Sequence, residues 1–190
     1  MTSNLTVDTI RNSSGNTVLM QDGARQYISG EQIQMKYFQY TDTTTQAISA
    51  DTSTVITHME VKITPKFANS TIHLQCHMFY EHGDNNNNSW NHTWFFYRDT
   101  TKLAHATASA RNVGISMGTL TYYADDDNST PEIVRYDYFD QPATTNEITY
   151  KVGYHVDTAE TLYFNMTAGN LDNNQHERGI SFISATEYAA

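Results

Sequence analysis

The residue types able to do chemistry are few and scattered. The chain has eight histidines and one cysteine, Cys76. It contains no H-E-x-x-H, no cysteine pair and no glycine-rich phosphate loop. His73 and His77 would share one face of a strand, but four strand residues span roughly 13 Å, too far for both to hold one ion at the ~2 Å of a metal–nitrogen bond. Glu81-His82-Gly83-Asp84 and His92 flank Asn85-Asn86-Asn87-Asn88. A carboxylate–imidazole group can exchange protons, but this Asn tract reads as a loop that preorganises nothing. Asp125-Asp126-Asp127-Asn128 offers oxygen ligands to Ca²⁺ without the alternating spacing of a calcium loop, and reads as a solvated turn. No G-x-S-x-G elbow is present, and no carboxylate pair can be placed across a glycosidase cleft. The expectation is a protein that is not an enzyme, with no cofactor and no metal. One polar–aromatic combination stands out. Asp84, Trp90 and His92 set a ring beside amides and a carboxylate, as a host-surface glycan contact would require.

The elements that must position these residues are strands. Period-two alternation runs through most of the chain, and helical periodicity is nearly absent. From Thr54 to Thr64, Val55, Thr57, Met59, Val61 and Ile63 fall on one face, with His58, Glu60 and Lys62 on the other. After Pro65 and a polar turn, Ile72, Leu74, Cys76, Met78 and Tyr80 line one face opposite His73, Gln75 and His77. The two segments read as a hairpin. Cys76 reads as a small buried hydrophobe. Further strands are expected at 32–41, 91–97, 133–139, 148–156, 162–166 and 180–188, with Trp94 and Phe96 directed inward and one helical turn near Ala104–Ala110. About eight strands with turn signals between them predict an all-β antiparallel sandwich, jelly-roll-like, over residues 32–190.

Residues 1–31 read differently, as an extended β-hairpin arm. Leu5–Ile10 and Thr17–Met20 are short strands around the turn Asn12–Asn16. A two-stranded hairpin is marginal alone, so Leu5, Val7, Ile10, Val18 and Met20 are the candidate anchoring or interface residues, docking on the chain's own body or on another subunit.

Composition removes whole classes of function. Eleven Lys and Arg against 21 Asp and Glu give a formal charge of −10. That balance disfavours nucleic acid, whose phosphates need clustered cations, and anionic membrane surfaces. A single cysteine excludes an intrachain disulfide scaffold. The start lacks the basic and apolar regions of a signal peptide, and no apolar run reaches the ~20 residues of a membrane span. Mean hydropathy is −0.58 with only 17% charged residues, so uncharged Thr, Asn, Ser and Gln carry the polarity.

Three stretches carry a resemblance. Leu5-Thr6-Val7-Asp8-Thr9-Ile10-Arg11-Asn12-Ser13-Ser14-Gly15-Asn16, then Ile63-Thr64-Pro65-Lys66-Phe67-Ala68-Asn69-Ser70-Thr71-Ile72, and the ending Ile180-Ser181-Phe182-Ile183-Ser184-Ala185-Thr186-Glu187-Tyr188 resemble segments of tail-fibre and other virion structural proteins of marine tailed bacteriophages, cyanophages in particular. The stretches cover 31 of the chain's 190 residues. The resemblance implies a homotrimeric fibre, spike or surface protein with a β-sandwich body. It implies an N-terminal arm that knits the trimer or binds other virion proteins, assembly in the host cytoplasm, and a final place on the virion surface, on tail or capsid.

Overall fold

The computed structural model of the chain describes residues 9–15, 17–22, 25–83, 91–106, 108–118 and 129–190. Among these residues the protein is all-β, with thirteen strands and no helix. Every strand pair is antiparallel. The arm region forms its own three-stranded sheet from β1 (Thr9–Arg11), β2 (Thr17–Asp22) and β3 (Arg25–Ile28), one strand more than the expected hairpin.

The body is a sandwich of two sheets. The first runs β4 (Gln32–Tyr40), β13 (Ser181–Tyr188), β7 (Thr71–Gly83), β12 (Glu160–Phe164) and β5 (Thr44–Ile48), with β10 (Glu132–Asp140) also on β7. The second runs β6 (Thr54–Ile63), β11 (Ile148–Val156), β8 (His92–Arg98) and β9 (Thr101–Leu103). The pairing is nested: β4 with β13, β5 with β12, β6 with β11, β7 with β10, and β8 with β9 at the centre. A long hairpin rolled up this way is a jelly roll.

Three sequence expectations are corrected. The strands at 54–63 and 71–83 do not form a hairpin. β6 pairs with β11 in one sheet, while β7 pairs with β10, β12 and β13 in the other. The chain from Thr64 to Ser70 is therefore an arch between layers. What holds it is Glu187, a fully buried carboxylate on β13. Its Oε1 accepts from the backbone N–H of Lys66 (2.7 Å) and Phe67 (3.3 Å) and from the Ser70 hydroxyl (2.7 Å). Its Oε2 accepts from Gln34 Nε2 at 2.6 Å, and Gln34 also donates to Thr64 O.

The inward face of β6 also changes phase. Met59, Val61 and Ile63 are buried as expected, but Val55 and Thr57 are exposed and Ile56 is buried instead. His58 adopts φ 67°, and the register with β11 slips between Lys151 and Gly153. Such a bulge absorbs extra residues and reverses the alternation. The expected helical turn near Ala104–Ala110 is irregular chain among its described residues, with Arg111 N–H bonded to Ala108 O at 3.3 Å.

The core lies between the sheets. Ile72, Leu74, Cys76, Met78 and Tyr80 of β7 face Trp94 and Phe96 of β8 and the Tyr150–Val156 stripe of β11. Two polar ties cross the layers. Asp140 on β10 takes Arg98 Nη1 (2.9 Å) and the Tyr150 hydroxyl (2.7 Å), and the Tyr136 hydroxyl donates to Phe95 O at 2.9 Å. A satellite cluster of Tyr27, Ile33, Phe67 and Ala189 ties β3 to the body.

Candidate functional site

The inward stripes of four strands do not end in apolar residues. At one end of the sandwich they end in His82 (β7), His92 (β8), Glu132 (β10) and Glu160 (β12), and Tyr154, the last inward position of β11 before Val156, joins them, all buried or nearly so. Glu160 organises the group. Its Oε2 meets His82 Nδ1 at 2.7 Å and its Oε1 accepts the Tyr154 hydroxyl at 2.5 Å. The carboxylate thereby sets the His82 tautomer with the proton on Nδ1. His82 Nε2 is buried and has no hydrogen-bond partner among the described residues. Rings pack closely around it: His92 at 5.0 Å and Tyr80 at 5.3 Å between centroids, with Trp94 a further 4.9 Å from Tyr80. Gly118 closes over the Tyr80 hydroxyl, where a Cβ would stand 2.7 Å away. Burial, and then Glu160, push the Tyr154 phenol far above its usual range; burial, and then Glu132, do the same to Tyr80.

A carboxylate that orients an imidazole is the arrangement of a general base. Here the imidazole is flanked by the rings of His92 and Tyr80. The Glu160 carboxylate joins β12 to β7 and β11, and a buried polar group left unbonded there would cost about 1–3 kcal/mol. Glu81, one residue before His82 and on the other face of β7, is also buried and accepts from Thr130 N–H (3.0 Å) and Ala168 N–H (2.8 Å).

The expected site residues scatter. His92 is fully buried, stacked on Tyr154 at 5.6 Å, so it cannot meet a host glycan. Asp84 and Trp90 lie outside the described residues, as do Leu5, Val7 and the acidic run 125–128. Val18 and Met20 belong to β2, with their side chains outside the description. Ile10 is 41% exposed. His73 and His77 do share the outer face of β7, each with its own partner: His73 Nε2 meets Asp137 at 3.2 Å, and Arg135 Nε donates to His77 Nδ1 at 2.8 Å. No group of three metal-ligating side chains occurs among the described residues. Cys76 is buried, and burial drives its thiol well above the ordinary range.

The buried cluster was available to period-two counting. His82 continues the stripe of Met78 and Tyr80, His92 precedes Trp94 and Phe96, and Glu160 precedes Leu162 and Phe164, each by two residues. A second feature has no sequence signal. Between β8 and residues 105–117 lies a cleft of about 360 Å³, lined by Thr93, His105, Arg111, Asn112, Ile115 and Met117.

No protein-family model matches the chain, and no curated protein does.

Proposed function

We propose that this protein is a non-enzymatic structural component of a tailed-phage virion: a short fibre or spike, trimeric, displayed at the particle surface and attached through its N-terminal arm. The observation that carries the reading is the separateness of the arm. β1–β3 form a sheet of their own, outside both sheets of the sandwich. Among the described side chains of that sheet, Tyr27 is the buried one that ties it to the body, packed edge-on against Phe67 at 5.9 Å. Ile10 and Ile28 remain 41% and 63% exposed, which leaves apolar surface for a docking partner. The resemblance of residues 5–16, 63–72 and 180–188 to phage fibre segments points the same way.

The test is particle incorporation. A chain lacking residues 1–30 should keep its sandwich and its strand-type circular dichroism, yet be missing from purified virions. Incorporation at the full-length level would overturn the reading. Electron microscopy of particles carrying the labelled full-length chain then separates a tail position from decoration of the capsid, which would use the same arm.

A further inference from the structure

The outer face of the first sheet presents an ordered array that neither the core nor the arm explains. Register places four rows across β4, β13, β7 and β10. They are Met35–Thr186–His73–Phe139, Tyr37–Ser184–Gln75–Asp137, Gln39–Phe182–His77–Arg135, and the shorter Phe79–Ile133. Five of the molecule's exposed large apolar side chains stand here: Tyr37 at 69%, Phe139 at 60%, and Met35, Ile133 and Phe182 between 38% and 47%. Two of them are held by histidine rings. Phe139 stacks on His73 at 4.3 Å and Phe182 on His77 at 5.7 Å. Along the middle, Ser184 and Thr186 are small and buried, so the face is lowest along β13 and rises on both sides.

Charge identifies the occupant. The chain carries −10 overall, yet these rows hold one Arg and one Asp. Burial and the neighbouring Arg135 hold His77 below its usual range, so it is neutral at pH 7. A second molecule with the same acidic charge is repelled from most approaches, and here it meets a neutral, aromatic, self-complementary surface on which Arg135 of one copy can face Asp137 of another. We propose that this face is where two copies of the chain associate. The contact is a two-fold one and so is distinct from the contact that builds a trimer; it would link one trimer to another. The inference rests on the structural reading above in taking the chain as an assembly subunit. Four strands ~4.8 Å apart and nine residues at ~3.4 Å cover about 580 Å². That is somewhat below the ~800 Å² per partner of a standard stable interface, so association should be reversible in the micromolar range. Because the driving surface is apolar, it should survive high salt.

Sedimentation velocity on the purified full-length chain tests this. The wild type should associate at micromolar concentration in both low and high salt. Tyr37→Glu with Phe139→Glu, which alters exposed side chains and should leave the melting curve unchanged, should give monomers. Val55→Glu, on the other sheet and 39% exposed, should associate as the wild type does. As a second readout, Gln75→Cys adds an exposed thiol at the centre of the face in a chain whose native cysteine is buried, and mild oxidation should trap a disulfide dimer. A monomeric wild type, or association that persists in the Tyr37/Phe139 variant, overturns the proposal. Salt-sensitive assembly would point to a different, electrostatic contact and also overturns it. These outcomes are independent of arm-dependent incorporation, so either proposal can fail while the other stands.

Discussion

Glu187 makes a sharp prediction. It is fully buried and has four donors on its two oxygens: Lys66 N–H, Phe67 N–H, the Ser70 hydroxyl and Gln34 Nε2. Hydrogen bonds to a charged group contribute roughly 1.5–3 kcal/mol each, and donors left buried and unbonded add a penalty. In Glu187→Ala the Ser70 hydroxyl stays buried, while Lys66 and Gln34, nearer the surface, regain water. The net loss should be about 3–5 kcal/mol, in line with removing one member of a buried charged network. For a domain of this size each kcal/mol lowers Tm by roughly 2–4 °C, so a fall of ~6–20 °C is expected. Glu187→Gln is the finer probe. Its carbonyl can still serve the three donors now on Oε1, but its amide then faces the Gln34 amide, donor against donor. Gln34 can relieve that clash by flipping, at the expense of its bond to Thr64 O. About 1–3 kcal/mol should be lost, or one to two net hydrogen bonds. Thermal unfolding followed by circular dichroism gives the ranking, and trypsin cleavage after Lys66 reports on the arch itself, which should open faster in both variants. A Glu187→Ala protein melting within about 2 °C of wild type would refute the claim that this carboxylate holds the crossing between the sheets.

Other perturbations probe different parts of the fold. Gly153→Ala places a Cβ 2.3 Å from the Phe95 ring, which is pinned by Lys102 Nζ 3.9 Å from its centroid; overpacking should cost about 1–3 kcal/mol in urea unfolding. Tyr154→Phe removes the 2.5 Å bond to Glu160, and the buried carboxylate oxygen left behind should cost about 1–3 kcal/mol by the same measurement. His77 and His155 both titrate below the ordinary histidine range, chiefly through burial, with Arg135 and Lys102 adding to it. The unfolded chain therefore binds protons more readily than the native one, so stability should be full above pH 6.5 and decline as pH falls below it. Replacing both histidines with Gln should flatten that decline between pH 7 and 5.

Alternation made much of the jelly roll legible. Ile72 to Tyr80, Trp94 with Phe96, and Ile148 to Val156 are buried on the face that counting by two assigns. It failed where backbone geometry intervenes. The left-handed turn at His58 reverses the phase of β6, and nothing in Val55-Ile56-Thr57 announces it. Phe95 is buried although both its neighbours point the other way, because Gly153 across the ladder has no side chain and lets the ring lie flat on the backbone. The arch at 64–70 looked like a hairpin turn because its decisive partner, Glu187, lies 121 residues from Lys66. The polar cluster had a signal that hydrophobicity conceals: a histidine or glutamate in an inward position reads as the end of a strand until its partner is known. The neutral sheet face was less visible still, since Met35, Phe139 and Phe182 come to share one face only once register is set.

The nested pairing bears on how the molecule comes into being. Each of β4 to β7 finds its antiparallel neighbour in a strand that lies later in the chain, and the outermost pair joins Gln34 to Glu187 across 153 residues. A ribosome that has delivered the first 83 residues has delivered four strands of the sandwich with none of those partners. Closure of the roll waits on β13, which also supplies the glutamate that seats the arch. Such long loops are costly to close, and folding dominated by them is slow. In the interval the apolar stripes of β6 and β7, Ile56 to Ile63 and Ile72 to Tyr80, stand without the layer that covers them in the finished molecule. Unpaired strands of that kind are the exposure that makes slow β-folding prone to aggregation, so the delay before β13 arrives is the vulnerable stage in the life of this chain.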